Sequence, residues 1–162
     1  MFMKPRIETL PETILCGKRA RMSIAENKTR ELWQSFMSNR YKIATPLGPK
    51  LYSVEVYDST IYFESFDATK EFEKWAAIKV SETESVPSDM EILTLPKGKY
   101  AVFQYKGKPS EAFKMYQYIY GSWIPASEYV LDDRPHFAIM GVKYKDEDPE
   151  SEEELWIPVI EK

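Results

Sequence analysis

The sequence predicts an α+β fold: two strand-helix-strand-strand repeats, about residues 4–82 and 90–162, joined into one antiparallel sheet with both main helices on one face. Three observations predict it. Glu73-Lys74-Trp75 recurs 81 positions later as Glu154-Leu155-Trp156. Thr9-Leu10-Pro11 recurs at a similar spacing, 85 positions on, as Thr94-Leu95-Pro96. Between these echoes, the order of strand-like and helix-like stretches runs twice in the same sequence.

The first half opens with Glu8 to Ile24, where apolar and polar residues alternate through Thr13-Ile14-Leu15-Cys16-Gly17-Lys18, the period of a strand. Asn27 then stands before Lys28 to Asn39, in which Leu32, Trp33, Phe36 and Met37 form an apolar stripe at helical spacing. Two prolines and a glycine make Thr45 to Pro49 a loop. Tyr52, Val54 and Val56 alternate in a strand from Leu51 to Tyr57, and after breaks at 58–60 and 65–69 a further strand spans Glu71 to Val80.

A loop from Glu82 to Asp89 separates the halves, and the order begins again with strands at Met90 to Leu95 and Lys99 to Tyr105. Ser110 is placed to cap a helix whose stripe is Ala112, Tyr116, Ile119, Tyr120 and Trp123, with Pro125 as its stop. Glu128 to Leu131 is short and extended, Pro135 to Lys145 reads as a strand, and Glu154 to Ile160 closes the chain.

Composition narrows the function classes. The 162 residues suffice for one domain with a real core, and 22 Lys+Arg against 26 Asp+Glu give a net charge of -4, without the basic footprint of a nucleic-acid binder. Cys16 is the single cysteine and His136 the single histidine, which leaves no disulfide framework and no cysteine/histidine metal site within one chain, and no cofactor motif is present. The start of the chain resembles no signal peptide and no stretch approaches a membrane span, so the cytoplasm is the default and no membrane role is expected. Aromatic residues make up 14%, with tryptophans at 33, 75, 123 and 156; such rings build cores, and they also line pockets for flat or cationic ligands. In a strand, residues two apart share a face, so each Glu-x-Trp copy sets a carboxylate beside an indole, a pairing that suits a cation.

The second half resembles the gyrase-inhibitor-like effector-binding domain, a module attached to many AraC-type and multidrug-responsive transcription regulators and also found alone. The residues that carry the resemblance are Pro96, Gly98, Tyr100-Ala101-Val102-Phe103 and Gly107, then Tyr116, Tyr120, Trp123-Ile124-Pro125, Ser127 and Tyr129. Pro135, Phe137, Pro149 and Glu154-Leu155-Trp156-Ile157-Pro158-Val159 complete them. Leu32-Trp33 with Phe36, and Phe72 with Trp75-Ala76, look like the first-half counterparts. The resemblance implies a pseudo-twofold pair of repeats and a small-molecule ligand, lipophilic and often cationic, in a groove between the two helices, met by a glutamate on the last strand.

Glu154 occupies that glutamate's position in the sequence. Ala138, where many relatives carry an acidic residue, is a departure that points to a less charged or differently placed ligand. The expected ligand-binding residues are Glu154, Trp156, Trp75, Tyr116, Tyr120, Trp123, Trp33 and Met37. Asp146 to Glu153 reads as a solvated acidic loop and His136 as a packing or surface residue. No catalytic motif is present; a hydrolase of reactive electrophiles would need Glu154 with Tyr116 or Tyr120, and the family name also admits a protein partner or a homodimer. The primary expectation is a stand-alone binding domain, free of direct nucleic-acid contact, that senses or sequesters its ligand.

Overall fold

The computed structural model describes residues 4–83, 86–145 and 147–162. Its strands are β1 (Arg6–Leu10), β2 (Thr13–Ser23), β3 (Leu51–Val56), β4 (Glu71–Lys79), β5 (Glu91–Leu95), β6 (Gly98–Lys106), β7 (Tyr129–Leu131), β8 (His136–Met140) and β9 (Glu152–Glu161). They form one antiparallel sheet in the order β1-β6-β9-β8-β3-β4-β2-β5, with β7 on β9. The order is symmetric about the β8–β3 seam. On one side lie β3, β4 and β2 with β5 at the edge; on the other lie β8, β9 and β6 with β1 at the edge. The predicted pair of repeats is therefore present, with one exchange: the edge strand that precedes each repeat in the chain completes the sheet of the other.

Pro11 divides the long N-terminal strand expected from the sequence. β1 leaves to pair with β6 while β2 pairs with both β4 and β5, because proline cannot donate to a continuous ladder. The strand expected over Pro135 to Lys145 ends at Met140, where Tyr144 N–H bonds back to the Gly141 carbonyl in a turn.

Helix α1 (Thr29–Asn39) follows β2, and its Thr29 N–H is taken by the Asn27 side chain at 2.9 Å, one residue upstream of the cap position. The second helical segment is irregular: a 3-10 turn over Pro109–Glu111, α2 (Phe113–Tyr118), a π-helical stretch Ile119–Trp123 and a final turn α3 (Ile124–Ala126). Ser110 does not cap it but bonds Glu147. Pro125 sits inside the last turn, and the helix stops at Ser127.

Residues opposite one another on paired strands share a face. The row Ala76, Ser53, Ala138, Leu155, Phe103 thus lies on one face, and the row Trp75, Val54, Phe137, Trp156, Val102 on the other. Leu32 and Phe36 of α1 pack on Cys16, Ala76 and Ile78, while Met115, Ile119 and Ile124 pack on Ala101, Phe103 and Leu155. Both helices therefore cover the same face, as predicted. The opposite face is also buried, with Val54, Tyr100 and Leu95 wholly enclosed although no helix among the described residues lies on it. The sheet curls around that second core.

Candidate functional site

The two helices stand over the two halves of the sheet, and the strip between them follows the central strands. There the helix-facing positions turn polar. Glu55 on β3 follows Ser53 on that face, Lys74 on β4 lies between Phe72 and Ala76, His136 on β8 precedes Ala138, and Glu153 on β9 precedes Leu155. A charged residue inside a strand whose neighbours at i±2 are core is costly to bury unless paired, so each needs an account.

Three of the four are accounted for. Lys74 Nζ bonds Glu55 Oε1 at 3.0 Å, an ion pair in which both side chains are more than four-fifths shielded from solvent. The Tyr120 hydroxyl meets His136 Nδ1 at 2.8 Å, and burial, with help from Arg134, pushes the imidazole down to about 3, so it is neutral. Glu153 is different. Its carboxyl makes no hydrogen bond or ion pair among the described residues, and burial, aided by repulsion from Glu55 and opposed by Lys74, pushes it up to about 7.

Aromatic rings wall this polar strip. A 3-10 turn, Thr60–Phe63, carries Tyr62 and Phe63 inward; it is held by Thr60 N–H to Asp133 Oδ1 at 2.7 Å and by Ile61 N–H to the Ser59 hydroxyl. Phe63 stacks on Tyr120 at 4.5 Å and on His136 at 5.1 Å. Tyr57 meets Tyr62, Phe63, His136 and Phe72 at 4.4, 4.8, 5.0 and 5.5 Å. Tyr116 lies parallel to Tyr120 at 6.3 Å and within electrostatic reach of both Glu55 and Glu153. Burial drives the hydroxyls of Tyr57, Tyr116 and Tyr120 well above their ordinary range. Tyr57 and Tyr116 hydroxyls have no hydrogen-bond partner among the described residues. One acid thus lies near the Tyr116 hydroxyl, and that hydroxyl near Tyr57, without a hydrogen bond among them and within a cage of rings.

Tyr116 and Tyr120 are the expected residues that the structure brings to this strip. Glu154, Trp156 and Trp75 lie on the other face of the sheet. Glu154 accepts from Arg6 Nη2 at 2.8 Å, Gln104 Nε2 at 2.8 Å and Trp156 Nε1 at 3.1 Å, and Arg6 reaches over the Trp156 ring at 6.0 Å. Burial alone would raise Glu154, but these hydrogen bonds, led by Arg6, hold it below the usual carboxylate range. The chain's own guanidinium fills the place beside Glu154 and Trp156 that the sequence reserves for a ligand's cation.

Glu73 repeats the arrangement, accepting from Trp75 Nε1 at 2.6 Å and Arg19 Nη1 at 3.0 Å, so the duplicated Glu-x-Trp is a duplicated bonding motif. Trp33 packs edge-on to Phe36, Trp123 lies between Phe103 and Tyr129, and Met37 is exposed, all three away from the polar strip.

Glu55, Tyr57, Phe63, Lys74 and Glu153 stand in or around the strip although no sequence motif marks them, and His136, expected as a packing or surface residue, lies there too. Their signal was present: a charged or histidine side chain at i±2 from core residues in β3, β4, β8 and β9. No group of three or more His, Cys, Asp or Glu suited to a metal occurs among the described residues. No helix among them is long and apolar enough to cross a membrane.

The family model of GyrI-like small molecule binding domains matches residues 3–160 of the chain. No curated protein matches it. Among solved structures, the C-terminal domain of EcmrR aligns with a TM-score of 0.75 at 16% identity, covering 100% of both chains. SAV2435 bound to tetraphenylphosphonium aligns at 0.70 and 15% identity, over 98% of this chain and 94% of that one. A hydrolase encoded by lin2189 from Listeria innocua aligns at 0.60 and 14% identity, over 97% and 92%. At these identities the likeness is one of fold.

Proposed function

The chain belongs to the GyrI-like small molecule binding domain family, and we propose that it reversibly binds a lipophilic aromatic compound, cationic by preference, in the strip between α1 and the α2–α3 segment. The observation that carries the reading is the Glu153 carboxyl lying near the Tyr116 hydroxyl, with Tyr57 beyond Tyr116, all without a hydrogen-bond partner among the described residues and walled by Tyr62, Phe63 and Tyr120. A flat ring gains stacking area there, and a positive centre gains a carboxylate in a largely dry site, where removing one partner of such a pair costs roughly 2–5 kcal/mol. The tetraphenylphosphonium carried by SAV2435 has this chemistry. The role that follows is sensing or sequestration.

Calorimetric titration with tetraphenylphosphonium and with neutral triphenylphosphine oxide tests the reading. Glu153→Gln weakens the cation about thirtyfold and leaves the neutral compound nearly unchanged, and Tyr116→Ala weakens both. Glu154→Gln leaves both unchanged. Loss confined to the Glu154 variant would place the ligand on the other face of the sheet.

Hydrolysis is a second reading, favoured by one observation: a carboxyl pushed up to about 7 beside two tyrosine hydroxyls is matched to proton transfer near neutral pH. In this role Glu153 takes the proton of an attacking water and Tyr116 or Tyr120 donates to the leaving atom. Recovery of bound electrophiles unchanged after long incubation would remove it.

A further inference from the structure

Resting on that reading, the charge count of the strip carries a consequence. Two carboxylates, Glu55 and Glu153, share one ammonium, and Lys74 is committed to Glu55 at 3.0 Å. The other groups within reach of Glu153 are Tyr105 on the paired strand β6, whose hydroxyl donates to the Lys108 carbonyl, and Tyr116 from the helical segment; Tyr120, Tyr57 just after β3, and Tyr62 from the turn lie beyond them, nearer Glu55. His136, from β8, lies across the same strip behind Tyr120. None of these brings a positive charge to Glu153 at neutral pH. With the strip empty, the single charge of Lys74 is paired with Glu55 and only partly offsets Glu153, so an ionised Glu153 is an excess negative charge in a shielded place.

We propose that the site exchanges one proton for one organic cation: a monocation lodged among Tyr57, Tyr116 and Glu153 expels the carboxyl proton of Glu153 to solvent, and Lys74, by neutralising Glu55, fixes the exchange at one charge.

The proton leaves as the cation enters, so the net charge of the strip is the same before and after. A neutral acceptor ligand instead keeps the proton and takes the Glu153 O–H as a hydrogen-bond donor. Acidity therefore selects the ligand class: cations bind better as pH rises, and neutral acceptors bind as well or better as it falls. The raised position of Glu153, about 7, puts the change across neutrality. His136 is already neutral there and the tyrosines remain protonated, so neither supplies the proton.

Tetraphenylphosphonium is a suitable probe because its charge does not titrate. It is titrated calorimetrically into the full chain at pH 6 and pH 8, in phosphate and in ACES buffer. The fraction of ionised Glu153 rises from about a tenth to about nine tenths, so affinity rises about tenfold. At pH 6 the heat differs between the buffers as expected for nearly one proton released per cation, and at pH 8 the difference nearly vanishes. Triphenylphosphine oxide shows no such gain, and Glu153→Gln abolishes both the pH dependence and the buffer-dependent heat. Binding of the phosphonium with equal affinity at both pH values and no buffer dependence would overturn the exchange while leaving the binding site intact. Unchanged proton release in Glu153→Gln would assign the proton elsewhere and also overturn it. Absence of phosphonium binding at either pH would overturn the site itself, and the exchange with it.

Discussion

Replacing Glu153 by glutamine makes the empty protein more stable at pH 8, a gain produced by removing a site residue. In the unfolded chain this carboxyl titrates near its ordinary 4.5, whereas burial and Glu55 hold it at about 7 in the fold. Between those values the native state carries the proton and the unfolded state does not. Stability therefore falls as pH rises through this window. At 1.36 kcal/mol for each tenfold change, the interval corresponds to about 3 kcal/mol lost by the wild type once pH passes 7. Glutamine has the same outline and never ionises, so it escapes the loss. Urea unfolding of both proteins at pH 4.5 and pH 8 reads the effect as a difference of differences, in which all other titrating groups cancel. The variant is expected to match the wild type at pH 4.5 and to exceed it by about 2–3 kcal/mol at pH 8. Equal stability at pH 8, or a less stable variant, would refute the claim that Glu153 is an uncompensated acid.

Two further outcomes follow from the packing. Phe63→Ala removes the ring stacked on Tyr120 and His136. The ring is half-buried, so stability drops by about 1–2 kcal/mol in urea unfolding, and tetraphenylphosphonium, which loses one aromatic wall of the strip, binds up to about tenfold more weakly. Gly17→Ala drives a methyl group into the Ala76 carbonyl and the Ala77 backbone across the β2–β4 pairing. Because backbone rather than a flexible side chain is in the way, the variant unfolds about 3 kcal/mol more easily, read by the same assay.

The fold was legible because its signals are local and repeated. The helical stripe of Leu32 and Phe36 and the alternation around Val54 and Trp75 fix elements within a few residues, and the family resemblance of the second half supplied the sheet. The exchange of β1 and β5 between repeats was not legible, since it depends on pairings such as Ile7 with Ala101 that leave no mark in local sequence. Of the candidate site, helical spacing marks Tyr116 and Tyr120, and the strand period sets Glu154 and Trp156 on one face.

The choice of face failed at Glu152-Glu153-Glu154. A shift of one residue in a strand exchanges the faces, and three consecutive acids offer no register mark. The apolar residues that follow do not help, because Leu155 and Ile157 under the helices and Trp156 on the far side are all buried. Thr60–Phe63, a single turn, is too short for periodicity to show, yet it delivers the ring that stacks at the centre of the site.

The most direct test of the account is a crystal structure of the chain with tetraphenylphosphonium. The phosphonium is expected on the helix face, with its rings against Tyr116, Tyr120 and Tyr57, Glu153 as the carboxylate nearest the phosphorus, and the Lys74–Glu55 pair intact. A phosphonium seated instead beside Glu154 and Trp156, with Arg6 displaced, would contradict it.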